Sequence, residues 1–231
     1  MLTIVPDRRM MDNPAAFIDH TLLKSETTEA QIAVLCEEAV EFGFAAVCLP
    51  PVFVSRAANL LYGSEVKLCS VVGFPCGYST SRQKIIETAD LVALGAVEID
   101  MVVQLGPLLE NHFSAVEEEI AQVVLAAGDA AVKVIIECCY LTQQQMQGVT
   151  EAVMRAGAAF VKTSTGFGPG GARLEDVSLL AKIAAGRIGV KAAGGIRDLE
   201  SCQSLLLAGA TRIGTSAGVQ IVNQWRACQG L

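Results

Sequence analysis

Histidine, aromatic residues and basic charge are all scarce in this chain, and each scarcity closes a class of function. His20 and His112 are the only histidines and lie far apart, so a histidine-rich metal site is excluded. Eight cysteines, at 36, 48, 69, 76, 138, 139, 202 and 228, contain no C-x-x-C pair, the spacing of zinc and dithiol redox sites. Most fall in apolar runs, where a free thiol behaves as a small hydrophobe, and a reducing compartment follows. Lys and Arg number 17 against 24 Asp and Glu, a net charge of −7. That balance argues against a nucleic-acid binder, whose footprint is a basic patch. No apolar run approaches the roughly 18 residues of a membrane span. The opening stretch, MLTIVPDRRMMDNP, lacks the ordered charged and apolar regions of a signal peptide. These absences predict a cytoplasmic protein with no membrane, nucleic-acid or metal partner.

What the chain does have is apolar mass: 231 residues, 52% of them hydrophobic, with no linker or low-complexity segment. One domain over 1–231 with a large core is expected. A single phrase recurs, in which a helical segment ends at a glycine and a strand follows: GFAAVCL at Gly43, GAVEIDM at Gly95, GAAFVKT at Gly157 and GATRIGT at Gly209. Each glycine suits a left-handed C-cap. The intervals of 52, 62 and 52 residues leave room for two βα units each. Further strand candidates lie at 17–21, 66–72, 131–137 and 187–191, which makes eight. Between them the apolar spacing turns helical, as in Ile32, Leu35, Cys36, Ala39 and Val40. Ser114-x-x-Glu117 and Thr142-x-x-Gln145 read as capping boxes, and Asp198 as an N-cap. Short Val- and Ile-rich strands alternating with single helices predict an α/β fold, a (β/α)8 TIM barrel with right-handed crossovers. An open doubly wound sheet is the rival. It is weaker, because neither G-x-G-x-x-G nor a Walker A lysine is present.

In such a barrel the C-terminal strand ends carry the chemistry and the opposite ends serve stability. Lys162 and Lys191 are read as closing strands 6 and 7, Asp100 and Glu137 strands 4 and 5, Cys48 strand 2, and Asp19, His20 and Thr21 strand 1. Lys67 and Lys133 are read as opening strands 3 and 5, at the stability face. A strand-end lysine can snorkel to solvent, and that is the competing reading for Lys162. A second lysine on the neighbouring strand favours chemistry: a cationic neighbour and burial both stabilise the neutral amine, a nucleophile toward carbonyl carbon. Asp100 is either a structural ion pair or a proton carrier between the two amines. Glu137 reads as structural pairing, Cys48 as packing, and His20 as a hydrogen-bonding loop holder. Glycine-rich stretches follow strands 6, 7 and 8, at Gly166, Gly194-Gly195 and Gly214–Gly218, the last with the Ser216 hydroxyl. Their clustering fits the phosphate site of barrels of this kind.

Five ordered segments, IDHTLLK (18–24), VEIDMVV (97–103), FVKTSTGFG (160–168), VKAAGGIRD (190–198) and RIGTSAG (212–218), resemble the deoxyribose-phosphate aldolase family. The resemblance spans nearly the whole chain, and two positions depart from its usual pattern, Gln104 and Cys76. It implies a cofactor- and metal-independent aldolase in which Lys162 forms the Schiff base and Asp100 and Lys191 transfer protons. Lys191 would also favour the neutral form of Lys162. The implied reaction cleaves 2-deoxy-D-ribose 5-phosphate to glyceraldehyde 3-phosphate and acetaldehyde. Thr163, Gly166, Gly194, Gly195, Gly214 and Ser216 are the expected substrate and phosphate contacts, with Asp19, Thr21, Cys48 and Glu137 in secondary places. The expected partners are a small phosphorylated sugar and a second copy of the chain in a homodimer. Two alternatives remain open: a Schiff-base aldolase or transaldolase of other substrate choice, and a sugar-phosphate-binding barrel without turnover.

Overall fold

Eight short apolar runs become eight strands: β1 Ile18–Thr21, β2 Ala46–Leu49, β3 Lys67–Val72, β4 Glu98–Val102, β5 Ala131–Ile135, β6 Phe160–Lys162, β7 Gly189–Ala193 and β8 Arg212–Thr215. The structure is a computed structural model that describes residues 13–230. The expectation drawn from the first residues, that they carry no signal peptide, therefore lies largely outside the described part. Every strand pairs in parallel with the next, and β8 pairs with β1, so the sheet closes into a barrel. Helices fill the crossovers, which makes this a single-domain (β/α)8 barrel. Among the described residues no helix is long and apolar enough to cross a membrane.

Alternation along each strand divides the interior from the outer layer. The outward faces, with Ile18, Val47, Leu49, Ile99, Met101, Val134, Val161 and Ile213, are buried against the helices in one large apolar cluster. Inside the barrel the apolar contingent is small: Ala46, Cys48, Cys69 and Val71, with Leu23 and Phe74 packed on it. Much of the rest of the interior is ionic, with Asp19, Glu98, Asp100, Lys133, Lys162, Lys191 and Arg212 all buried.

Helix boundaries follow from local chemistry. Thr142 and Gln145 form the expected capping box, and Asp198 accepts from the Ser201 N–H at 2.8 Å. Two further boxes, Thr28 with Gln31 and Thr80 with Gln83, open the helices Glu29–Phe42 and Ser81–Ala93. Ser114 is not a cap. The helix Phe113–Ala127 starts one residue earlier, with His112 at its N-cap, because the short helix Leu105–Leu109 runs almost directly into it. The four glycines of the recurring phrase all have positive φ, and Gly43 is itself the left-handed C-cap, at 69°.

Three strand readings need correction. β5 ends at Ile135, and Glu137 has already turned away, with a φ of 52°. β7 is centred on Lys191, and Asp100 sits mid-strand in β4, so both lie in the middle of the barrel and not at its rim. Lys133 is not at the stability face: it is the third residue of β5, fully buried, and its amine lies inside the barrel. Lys67 does open β3, with its side chain more than half exposed.

A buried ion pair fixes the end of β4 from outside. Lys84 Nζ donates to the Val102 carbonyl at 2.6 Å and to Glu119 Oε1 at 2.8 Å, while Glu119 Oε2 accepts from the Gln104 N–H at 3.0 Å. Breaking a buried pair by removing one partner typically costs about 3–5 kcal/mol, because a charge is left unmatched. Glu119→Ala is therefore expected to lower stability by about that amount, and adding Lys84→Met to recover most of it. Urea unfolding midpoints of the single and double variants check this.

Candidate active site

The register of the closed barrel gathers the inward-pointing charges. Asp100 of β4 pairs with Lys133 of β5, Lys162 of β6 with Lys191 of β7, and Lys191 with Arg212 of β8. Asp19 of β1 is brought beside Gly214 by closure. Four cations, Lys133, Lys162, Lys191 and Arg212, thus share the interior with three carboxylates, Asp19, Glu98 and Asp100, all of them buried.

Asp100 is the hub. Its Oδ2 accepts from Lys162 Nζ at 2.7 Å and from Lys191 Nζ at 2.7 Å, and its Oδ1 from Lys133 Nζ at 2.9 Å and from the Cys69 thiol at 3.2 Å. Burial alone would raise its pKa, but Lys133, Lys162 and Lys191 outweigh burial and hold it well below the usual carboxylate range. Lys191 shows the converse. Burial opposes its charge, and Asp100 and Asp19, to both of which it donates, hold it above the ordinary lysine range. Arg212 closes the floor, donating to Asp19 at 2.6 Å and to both oxygens of Glu98 at 3.0 and 3.2 Å. Gly214 makes room for this packing: a Cβ there would lie 3.1 Å from Lys191 Cε and from Ala193 Cβ.

Lys162 is the member of the lysine trio that borders open space. It lines a cavity of about 400 Å³ at the C-terminal mouth, together with Thr21, Gly166, Gly194, Gly195, Gly214 and Ser216. Five of the six expected contacts, Gly166, Gly194, Gly195, Gly214 and Ser216, are thus brought together, joined by Thr21 from the secondary positions. Thr163 is not among them. It is fully buried, accepting from the Ala193 N–H at 3.1 Å and donating to the Ala193 carbonyl at 3.2 Å, which clamps β6 to β7. Thr165 takes the place at the cavity wall. Lys24, Phe167 and Arg197 also line the cavity and were not singled out from sequence, although each lies within one of the quoted segments, 18–24, 160–168 and 190–198. Gly194 (φ 91°) lies close to Gly171, whose Cα would be 3.0 Å from a Cβ there, so the two loops touch backbone to backbone.

The secondary positions serve as supports. Asp19 is fully buried in the ion cluster. Glu137 is buried and, among the described residues, has no ion-pair partner; it accepts from the Thr165 N–H at 3.1 Å and from the Thr165 hydroxyl at 2.5 Å, fixing the loop after β6. Cys48 faces the interior, with its sulfur 4.0 Å from Asp100 Oδ2. A hydrogen bond from Cys69 pulls its thiol below the ordinary value against burial. His20 points outward and bonds Glu38 at 2.7 Å, tying β1 to the helix Glu29–Phe42. Gln104 reaches back to Ser79 and Ser81, and Cys76 is exposed. Two groups of donors, Cys48 with Cys69 and Asp100, and Cys69 with Asp19 and Glu98, lie close enough to hold a metal ion. The ammonium groups of Lys133 and Lys191 already lie against these same carboxylates.

A buried carboxylate shared by lysines, one of them facing a glycine-lined cavity, fits imine chemistry on a phosphorylated carbonyl compound. Comparison with known proteins points the same way. Residues 15–224 match the family model described as DeoC/LacD family aldolase. The deoxyribose-phosphate aldolase of Syntrophotalea carbinolica is 52% identical over 94% of this chain and 98% of its own, and that of a Geobacillus strain 51% identical over 92% and 96%. The solved structure of the tetrameric deoxyribose phosphate aldolase of Aeropyrum pernix superposes with a TM-score of 0.86 at 36% identity, covering 93% of this chain and 91% of that one. The chain belongs to the DeoC/LacD family of aldolases.

Proposed function

We propose that this protein reversibly cleaves 2-deoxy-D-ribose 5-phosphate to glyceraldehyde 3-phosphate and acetaldehyde through a Schiff base on Lys162. The observation that carries the proposal is the position of that amine: inside a buried ion cluster, yet on the wall of the cavity. Attack requires a neutral amine. An ammonium has three donors, and Lys162 has one acceptor, Asp100 Oδ2. With four cations facing three carboxylates, release of one proton from the amine at the cavity leaves the interior balanced.

The neutral amine adds to the C1 aldehyde, and loss of water gives a protonated imine. Asp100, acting through a water, takes the proton of the C3 hydroxyl; the C2–C3 bond breaks and its electron pair flows into the imine. Glyceraldehyde 3-phosphate leaves, and an enamine of acetaldehyde stays on Lys162. Asp100 returns the proton to C2, and hydrolysis frees acetaldehyde and the amine. Lys191 does not line the cavity; it works on the oxygen of Asp100 that it shares with Lys162. The loops at Gly166, Gly194-Gly195 and Gly214–Gly218 hold the 5-phosphate with backbone N–H groups, and the helix Gly218–Gln229 begins just beyond Ser216. Anchoring the remote phosphate positions C1 against the amine. A cytoplasmic setting accords with eight free thiols. Homo-oligomeric assembly belongs to the same proposal, and light scattering reads the copy number.

Borohydride reduction in the presence of substrate, followed by peptide mass spectrometry, is expected to place the adduct on Lys162. Lys162→Ala and Lys162→Arg should neither trap nor cleave, the latter because guanidinium stays protonated. An adduct on Lys191 would overturn the assignment, and products other than acetaldehyde would favour an aldolase or transaldolase of different substrate choice. Asp100→Asn keeps the shape but loses the proton acceptor, and kcat should fall about 10²–10⁴-fold. The phosphate site is tested at Gly195, where φ is 80° and a Cβ would meet open space. Gly195→Asp adds a negative charge there and should raise KM for the phosphorylated sugar far more than for deoxyribose, since each charge-assisted bond to the anion is worth about 1.5–3 kcal/mol. Unchanged kinetics on both substrates would place the phosphate elsewhere, whereas equal loss on both would report misfolding from the strain of a side chain at that φ or a misplaced Lys191.

A further inference from the structure

The three lysines inside the barrel differ in how many acceptors surround them. Lys162 has one and Lys191 has two, Asp100 and Asp19. Lys133 has three within hydrogen-bond range: Glu98 at 2.6 Å, Asp100 Oδ1 at 2.9 Å and the Cys69 sulfur at 3.2 Å, with Asp19 at 3.6 Å beyond them. An ammonium carries three donors; Asp100 and Cys69 accept two of them, and Glu98 lies at ion-pair distance. The group is fully buried, borders no part of the cavity and cannot meet substrate.

We propose that Lys133 is a positioning residue for the aldol chemistry: by occupying Oδ1 of Asp100 it keeps that carboxylate ionised and leaves Oδ2 as the one oxygen that faces Lys162 and Lys191. The inference rests on the role given above to Asp100. A carboxylate has two oxygens of equal basicity until its surroundings distinguish them. Here one is held by the Lys133 ammonium and a thiol, and the other by the two amines on the catalytic side. Every strand contributes to what Asp100 feels. Lys133, Lys162, Lys191 and, behind them, Arg212 favour its charge. The thiols of Cys69 and Cys48, which point their S–H at Oδ1 and Oδ2, do so too, whereas Asp19 and Glu98 oppose it. Lys133 differs from Lys162 and Lys191 in lying on the far oxygen, away from the substrate. It can therefore hold its charge constant while an imine forms and breaks on Lys162.

The sign of the effect follows from charge. Burial raises the pKa of Asp100 and the lysines lower it. Removing Lys133 leaves burial opposed by two amines where there were three, so the carboxylate takes up a proton at higher pH. Lys133→Met and Lys133→Gln remove the charge at similar length. In each, the acid limb of the kcat profile is expected to move up by a pH unit or more, with kcat at neutral pH reduced at least tenfold and KM changed less than threefold. Borohydride trapping on Lys162 should persist in both variants; its loss in the wild type would defeat the Schiff-base reading itself, which separates the two failures. Glu98→Gln supplies a test that spares Lys133. It removes the carboxylate that draws Lys133 away from Asp100, so the acid limb should stay or move down. A folded Lys133 variant with the wild-type acid limb would overturn the proposal, as would an upward shift in Glu98→Gln. Lowered thermal stability with an unchanged pH profile would reduce Lys133 to a structural ion pair and equally overturn it.

Discussion

A carboxylate is carried into the middle of a closed barrel only if cations go with it, and Asp100 sets that condition for the rest of the interior. The idealised cost of moving such an ion out of water is of order 20 kcal/mol, so no single partner is enough unless its remaining hydrogen bonds are also met. Lys133, Lys162 and Lys191 supply the cations, and each brings the same demand for acceptors. Asp19 and Glu98 answer that demand, Arg212 answers theirs, and exposed Lys67, 3.5 Å from Glu98, marks where the network reaches the opposite face. Register is the geometric form of this constraint. A slip of one residue in β5 would turn Lys133 outward and leave Oδ1 of Asp100 with only the Cys69 thiol.

Such an interior is a weak source of stability. Buried ion networks often return little more than they cost in desolvation, and the apolar cluster inside the barrel is limited to a few side chains. The fold must be held by the layer outside. There the outward strand faces meet the helices, and three capping boxes together with the Lys84–Glu119 pair fix helix starts and the end of β4. The division of labour follows from alternation along each strand: one face is free to be apolar and stabilising, the other free to be ionic and reactive.

The sequence made the barrel legible because glycine-ended helices and short apolar strands recur at regular intervals. Lys162, Lys191 and Asp100 were legible because each interrupts an apolar run, which is costly without a purpose. Lys133 interrupts a run in the same way, in AVKVI, yet its place was misjudged by counting from the strand start. The period of two puts residues 131, 133 and 135 on one face, and that face turned inward. Thr163 failed for the opposite reason: adjacent residues of a strand end point to opposite sides, so only one of Lys162 and Thr163 could face the interior. Arg212 and Glu98 were out of reach, since they meet only after β8 closes on β1 and the floor of the barrel forms. The unequal acceptor counts of the three lysines were likewise invisible, because no local pattern encodes what lies across a barrel.

The same closure explains how an acidic protein can present a site for an anion. The net charge of −7 is that of the whole chain, and the excess carboxylates lie outside the barrel interior. The interior runs the other way, with four cations against three carboxylates, and Lys24 and Arg197 stand at the cavity above it. Charges enclosed by low-dielectric walls project their field along the opening, so a small local excess dominates the potential inside the mouth. On the β6 to β8 side, glycine loops add backbone N–H groups to that field. Leu22 and Leu23 add apolar surface to the same cavity, so that local positive charge and apolar contact are both offered at its wall.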